Sequence, residues 1–416
     1  MPDSSAAGSS DVGVSPVGWT NWVDPRSNPK PPAVGCPARV AENPDEISEL
    51  LELCRKGRIY AVERWIAAGR PIQVRYGDIG QWRHPKTALV VAVESGQYDL
   101  ALLLLCNGYR PDLEPQSVLN LALERRAWDF LELLLAWGAD PKRVDPNAVL
   151  DTYQTALMER FWDLGVDYTG DSCLASYLAS STRNRPAYGW AKRHQGDPRV
   201  AYALALALGD AVLENKEKAV SLLLWAGADP HRRVPSLRWG SGVEDDPDDD
   251  RESAIEVAVH LGHGHLLRKL RPDPALDDFD ELYPWASDPD AVDYLAIRRP
   301  PADWSRAIAH NISRMGWSWS YEGCAQGRRC LERVFDGYGG RLSSLGHREC
   351  QDLRRELLKC SSDWDLTWLL RTLAKPERCA PAIYAELTRT SAIKEKMTRL
   401  GLLRATPGKA TKRSRG

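Results

Sequence analysis

The sequence predicts an all-α protein built from stacked helix pairs, and three observations carry that expectation. Apolar residues recur with helical spacing from near Glu46 to about Leu403, and β-branched runs alternating with period two do not occur. A set of landmarks then returns after thirty residues. Thr87–Ala92, Gly96, Asp99–Leu105 and Gly108 match Ser117–Ala122, Arg126, Asp129–Leu135 and Gly138. The composition, 43% hydrophobic and 27% charged, excludes wholesale disorder.

Residues 1–44, rich in Pro, Ser and Gly, have no sustained hydrophobic period and read as a flexible arm with polyproline character around residues 29–32. The repeat array is expected over 45–272. Its first unit carries Ser48, Leu53, Gly57 and Gly69. Further units carry Ala211, Asn215 and Gly227–Pro230, then Ser253–Ala258 with Gly262. A worn copy closes at Gly165–Asp167, with Leu157, Phe161 and Trp162 on its second helix.

The best-bounded helices are expected near 50–56 and 59–67, 87–95 and 98–106, and 117–125 and 128–136. A short helix, a tight turn and a Leu-rich second helix cannot bury their apolar face alone, so the next pair must cover it. Gly69, Gly108, Gly138 and Gly227 follow second helices, where a residue with positive φ ends the helix without a Cβ penalty. Thr87, Ser117 and Ser253 stand where a hydroxyl caps a first helix. Leu104 and Leu134 occupy equivalent second-helix positions and are expected in the core.

Insertions interrupt the array at 70–86, 181–197 and 231–251. Beyond Pro272 the match weakens. The set Gly327, Leu331, Phe335 and Gly339 keeps the twelve-residue offset between turns, and Asp365–Leu370 suggests another unit. Residues 273–404 are therefore a helical C-terminal region, either further degenerate repeats or a separate cap. Residues 405–416 form a basic, disordered tail.

These landmarks resemble the ankyrin repeat, whose units join a T-P-L-H start, a turn glycine, an LLL-type second helix and a closing G-A-D. The chain departs from that pattern in lacking its Pro and His: the starts read TALVVA, SVLNLA and SAIEVA. The resemblance implies an ankyrin-type helical solenoid, a non-catalytic scaffold or adaptor for protein–protein interaction. Ankyrin-like proteins project binding fingers from such loops. Loop position and Arg/Trp content single out Arg75, Tyr76, Trp82, Arg83 and His84 in the first insertion, and Arg232 and Trp239 in a later one, as partner contacts. Trp82 folding back as a lid on its own repeats is the competing expectation.

Other chemistry was weighed against plainer roles. His260, His263 and His265 have the residue type of a zinc site. Gly262 and Gly264 break the helix between them, so their rings are expected to diverge. The acidic run at 244–250 lacks the glycine and glutamate of a calcium loop and reads as a solvated insertion. Nine cysteines without a C-x-x-C pair fit buried thiols in a reducing compartment. No phosphate-binding, nucleophile-elbow or zinc-protease motif occurs, so neither enzyme activity nor a cofactor is expected.

No run of about 18–20 apolar residues spans a bilayer and no signal-peptide pattern opens the chain, so a cytoplasmic protein without membrane contact is expected. The net charge of −2 gives no overall basic field, yet residues 377–416 carry ten Lys/Arg against three Glu. Lys409, Lys412, Arg413 and Arg415 in that tail suit a nucleic-acid contact, which leaves a DNA-associated accessory factor as one alternative. An effector with activity in 273–404 is another. The Arg/Ala/Trp-rich, Lys-poor style is that of a bacterial protein of GC-rich coding.

Overall fold

The computed structural model describes residues 40–74, 86–235, 251–317, 321–360 and 362–403, with twenty-two α-helices among them. The chain divides into two compact units, one ending at Asp167 and one beginning at Tyr168. Among the described residues no helix is long and apolar enough to cross a membrane.

The first unit holds α1 (Ser48–Arg55), α2 (Ile59–Ala67), α3 (Ala88–Glu94), α4 (Tyr98–Cys106), α5 (Val118–Glu124), α6 (Trp128–Ala136), α7 (Pro146–Leu150) and α8 (Thr155–Asp163). The three pairs expected from the sequence form, the second helices at the expected bounds and the first helices with ends shifted by one or two residues. Packing follows alternation: α1, α3, α5 and α7 contact one another in succession, as do α2, α4 and α6. Leu104 and Leu134 are both 0% exposed.

The turns carry the repeat most sharply. Left-handed residues come in pairs twelve apart: Gly57 and Gly69, Gly96 and Gly108, Arg126 and Gly138, Tyr153 and Gly165. After α1, α3 and α5 the same bond closes the turn. The N–H of Arg58, Gln97 and Ala127 donates to the carbonyl five residues back, on Leu53, Ala92 and Ala122, at 3.0, 2.8 and 2.8 Å. Second helices end alike, with Tyr109 donating to Leu104 at 3.1 Å and Ala139 to Leu134 at 2.9 Å. This geometry satisfies last-turn carbonyls that a helix end leaves open. Thr87 caps α3 through Val90 N–H at 3.2 Å. Ser117, expected to do the same for α5, accepts no such bond.

Two short strand pairs brace the insertions. β1 (Val40–Ala41) runs parallel to β2 (Gln73–Val74), and the Gln73 amide both donates to and accepts from the Arg110 backbone, at 2.8 and 3.1 Å. Residues 40–44, assigned to the arm by sequence, thus belong to the fold, and Asn43 caps the turn at Pro44–Ile47. In the second unit β3 (Val234–Pro235) pairs antiparallel with β4 (Arg251–Glu252), tying together the two ends of the acidic insertion.

The second unit contains α9 (Cys173–Ser180), α10 (Arg185–Arg193), α11 (Pro198–Leu213), α12 (Glu217–Trp225), α13 (Ala254–Leu261), α14 (Gly264–Leu270), α15 (Phe279–Trp285) and α16 (Pro289–Arg298). It continues with α17 (Ser305–Trp317), α18 (Tyr321–Glu332), α19 (His347–Lys359), α20 (Asp363–Leu373), α21 (Pro381–Leu387) and α22 (Ser391–Arg399). The odd-numbered helices α9 to α21 contact one another in order, and so do the even-numbered α10 to α20. This alternation passes residue 272 unbroken. Asn215 and Gly227 supply one more left-handed pair twelve apart.

The set beginning at Gly327 does not mark a repeat turn. Gly327 lies inside α18, which runs on through a π-helical turn at Arg333–Gly337. A Cβ at 327 would stand 2.9 Å from Met315 Cγ and 3.2 Å from the Asn311 carbonyl, so this glycine serves the close crossing of α17 and α18. Gly264 does similar work at the start of α14. Its N–H donates to Asp288 Oδ2 at 2.8 Å, and a Cβ there would meet the Ala291 nitrogen at 2.5 Å. Ser253 and Glu256 form a capping box on α13, as the hydroxyl position implied.

Candidate functional site

Within the second unit, α13, α15, α17 and α19 meet around a cavity of about 690 Å³, lined by His260, Trp285, His310, Ser313, Arg314, Asp352, Arg355, Glu356 and Lys359. That volume lies in the usual range for small-ligand sites. Helical spacing explains how few elements supply so many groups. His310, Ser313 and Arg314 stand one turn apart on α17, and Asp352, Arg355, Glu356 and Lys359 share one face of α19.

Trp285 forms the aromatic wall and is 46% exposed. Its indole meets His260 edge-on at 4.7 Å and His310 at 4.4 Å between ring centres. His260 Nδ1 lies 2.8 Å from Glu252 Oε1, which fixes that ring. Burial, reinforced by the Arg314 charge and by His260, pushes the His310 imidazole down to about 4, so it is neutral near pH 7.

The charges in the cavity are unevenly matched. Arg355 pairs with Asp352 at 3.0 Å and Lys359 with Glu356 Oε1 at 2.8 Å, both within α19. Arg314 Nη1 is buried without a hydrogen-bond partner, and so is Glu356 Oε2. Burial holds the Arg314 guanidinium below its ordinary value, opposed by the Cys330 thiol and the Asp288 carboxylate.

The histidine trio splits one against two. His260 turns to Glu252 and Trp285, while His263 and His265 face each other edge-on at 6.2 Å. Of the proposed partner contacts, Arg75, Tyr76, Trp82, Arg83, His84 and Trp239 lie outside the described residues, as do Lys409, Lys412, Arg413 and Arg415. Arg232 is described. Its guanidinium sits 5.5 Å over the exposed Tyr202 ring of its own unit, beside His231, which contacts the Asp277 carboxylate at 3.0 Å. Lys192 lies 4.3 Å over the exposed ring of Trp225.

Sequence reasoning singled out His260 for metal chemistry and missed the rest of this cavity. The usable signal was the spacing on α17 and α19; what brings those faces to Trp285 is helix order, which spacing does not state. No protein-family model matches the chain, and no curated protein matches it.

Proposed function

We propose that this chain is an ankyrin-type repeat scaffold that holds a protein partner and carries out no chemistry of its own. The observation that supports the reading is the register of the turns: five pairs of left-handed residues twelve apart, on helices that pack odd against odd and even against even. Such an array builds an extended surface from neighbouring units, and its side chains specify the partner. The described cysteines are all free thiols, in keeping with work in a reducing cytoplasm.

The partner contacts proposed are Trp82 and Arg83 with their neighbours in the first insertion, and Arg232 and Trp239 in the later one. Loops of this length are usually functional, and Trp and Arg dominate binding energy where they anchor. Comparative capture of partners by the intact protein and by the W82A/R83A double variant tests this. Loss of specific partners at unchanged melting temperature is expected. Retained capture with a lowered melting temperature would show instead that Trp82 closes over its own repeats.

An effector in the C-terminal region is the second reading, and the cavity between α13 and α19 is what favours it. A site with converging polar groups is the feature that reading requires.

A further inference from the structure

We infer that the C-terminal ends of α10, α12, α14 and α16 form a basic edge that binds single-stranded nucleic acid. The inference goes beyond the scaffold reading and stands without it, because it uses none of the loop residues proposed to hold a protein partner.

Helix order builds the edge. α10, α12, α14 and α16 contact one another in succession. The starts of α14 and α16 lie together: the Gly264 N–H donates to Asp288 Oδ2 at 2.8 Å, and a Cβ on Gly264 would meet the Ala291 nitrogen. Counting equally from Gly264 and from Ala291 reaches Arg271 and Arg298, so the ends of these two helices stand level. Arg268 lies one turn before Arg271, and all three arginines are exposed.

Among the described residues no carboxylate pairs with Arg268, Arg271 or Arg298. Two acids close in sequence are engaged elsewhere. Asp273 accepts from the Ala275 N–H at 2.9 Å, and Asp293 from the Tyr338 hydroxyl at 2.9 Å. Tyr294 lies among the arginines: burial holds its phenol above the usual value, and the charges that oppose this are Arg298, Arg271 and Arg268. The carbonyls of a helix end favour a cation, which accounts for one arginine on each. Three on two adjacent ends repel one another, and a bound polyanion relieves that repulsion.

Aromatic rings narrow the choice of polyanion. The Arg298 guanidinium is held over the Tyr294 ring, 3.6 Å from its centre, with Nη1 donating to the Tyr294 carbonyl at 3.3 Å. A guanidinium fixed in this way offers its outer side to a base. On α12, Trp225 is 52% exposed with the Lys192 ammonium 4.3 Å over its ring, so cation and π-face meet a second time. Neighbouring helices pack about 8–10 Å apart, which spreads the cations along an extended row of phosphates. Unpaired bases stack on such faces and paired ones do not, which favours a single strand over a duplex. An acidic peptide would match the charge and leave the rings unused.

Fluorescence anisotropy of a labelled oligothymidylate of about twenty nucleotides, titrated with the full-length protein, tests this. Saturable binding is expected, tighter than to a duplex of equal length and weaker as salt rises. Trp225→Ala is expected to weaken it by about fivefold or more. The double change Arg268→Gln and Arg298→Gln is expected to weaken it by about tenfold or more, and to flatten the log–log salt slope by about 0.7 for each arginine removed. Circular dichroism checks the fold of each variant. Should the glutamine variant not fold, Arg298→Lys keeps the charge and loses the stacking plane. It is expected to weaken binding at an unchanged salt slope, and unchanged affinity there would overturn the inference.

The comparison variant neutralises Lys409, Lys412, Arg413 and Arg415 together. Binding lost in that variant and kept in the Arg268/Arg298 variant would place the contact on the tail and overturn the inference. No binding of the single strand, a duplex bound as tightly, or polyglutamate competing as well as unlabelled oligothymidylate would do the same.

Discussion

Replacing Leu104 or Leu134 with alanine is expected to destabilise the protein by about 2–5 kcal/mol. Both side chains are fully buried at the same position of α4 and α6, two second helices that pack on each other. Truncation removes apolar contact and leaves a cavity that two rigid helices close only in part. Since a domain has only about 5–15 kcal/mol in all, either change consumes much of it. Urea denaturation read by circular dichroism measures the loss. Curves superimposable on the natural protein's would mean that these leucines do not sit between repeats.

Glu114 should make the stability of the first unit depend on pH. It is 2% exposed, receives the Tyr109 hydroxyl and lies near the Arg143 guanidinium, whose donors go to the backbone carbonyls of Asp112, Glu114 and Pro115. Burial outweighs these partners and pushes its carboxyl up from 4.5 to about 7. The folded state therefore holds a proton that the unfolded chain releases. The group's favourable contribution is complete below about pH 4.5 and is lost as pH rises through about 7. Above that the cost of the buried charge is about 3 kcal/mol. Glu114→Gln removes the titration, so the variant should gain on the natural protein between pH 5 and pH 8. Denaturation midpoints at the two pH values check this; a constant difference between the two proteins would contradict it.

The helix pairs were legible because their limits are local chemistry: Gly57, Gly96 and Gly138 mark turns that few other residues make cheaply. Arg126 and Asn215 were found by counting from those glycines, since neither residue type announces a left-handed turn. Tyr153 was not found, although it stands twelve residues before Gly165. The worn copy lacks the Thr-to-Ala start that would have fixed its register. Gly327 misled for the opposite reason. A glycine that admits a neighbouring helix and a glycine that turns the chain are identical in sequence, and only the Met315 and Asn311 atoms facing it tell them apart. The cavity was the least legible part. Its groups come from helices up to a hundred residues apart, and Arg314 and Glu356 stand out only through partners they lack.

The account rests on the turns continuing the repeat where glycine is absent, and the melting temperature of Arg126→Gly and Asn215→Gly tests this most directly. Both positions are exposed with φ of 54° and 55°, a conformation that costs an L-residue roughly 1–2 kcal/mol and glycine none. Each substitution is expected to leave stability unchanged or raise it, by less at 215 because asparagine tolerates this conformation. A loss of about 1 kcal/mol at both sites, the usual result of glycine inside a helix, would contradict the repeat.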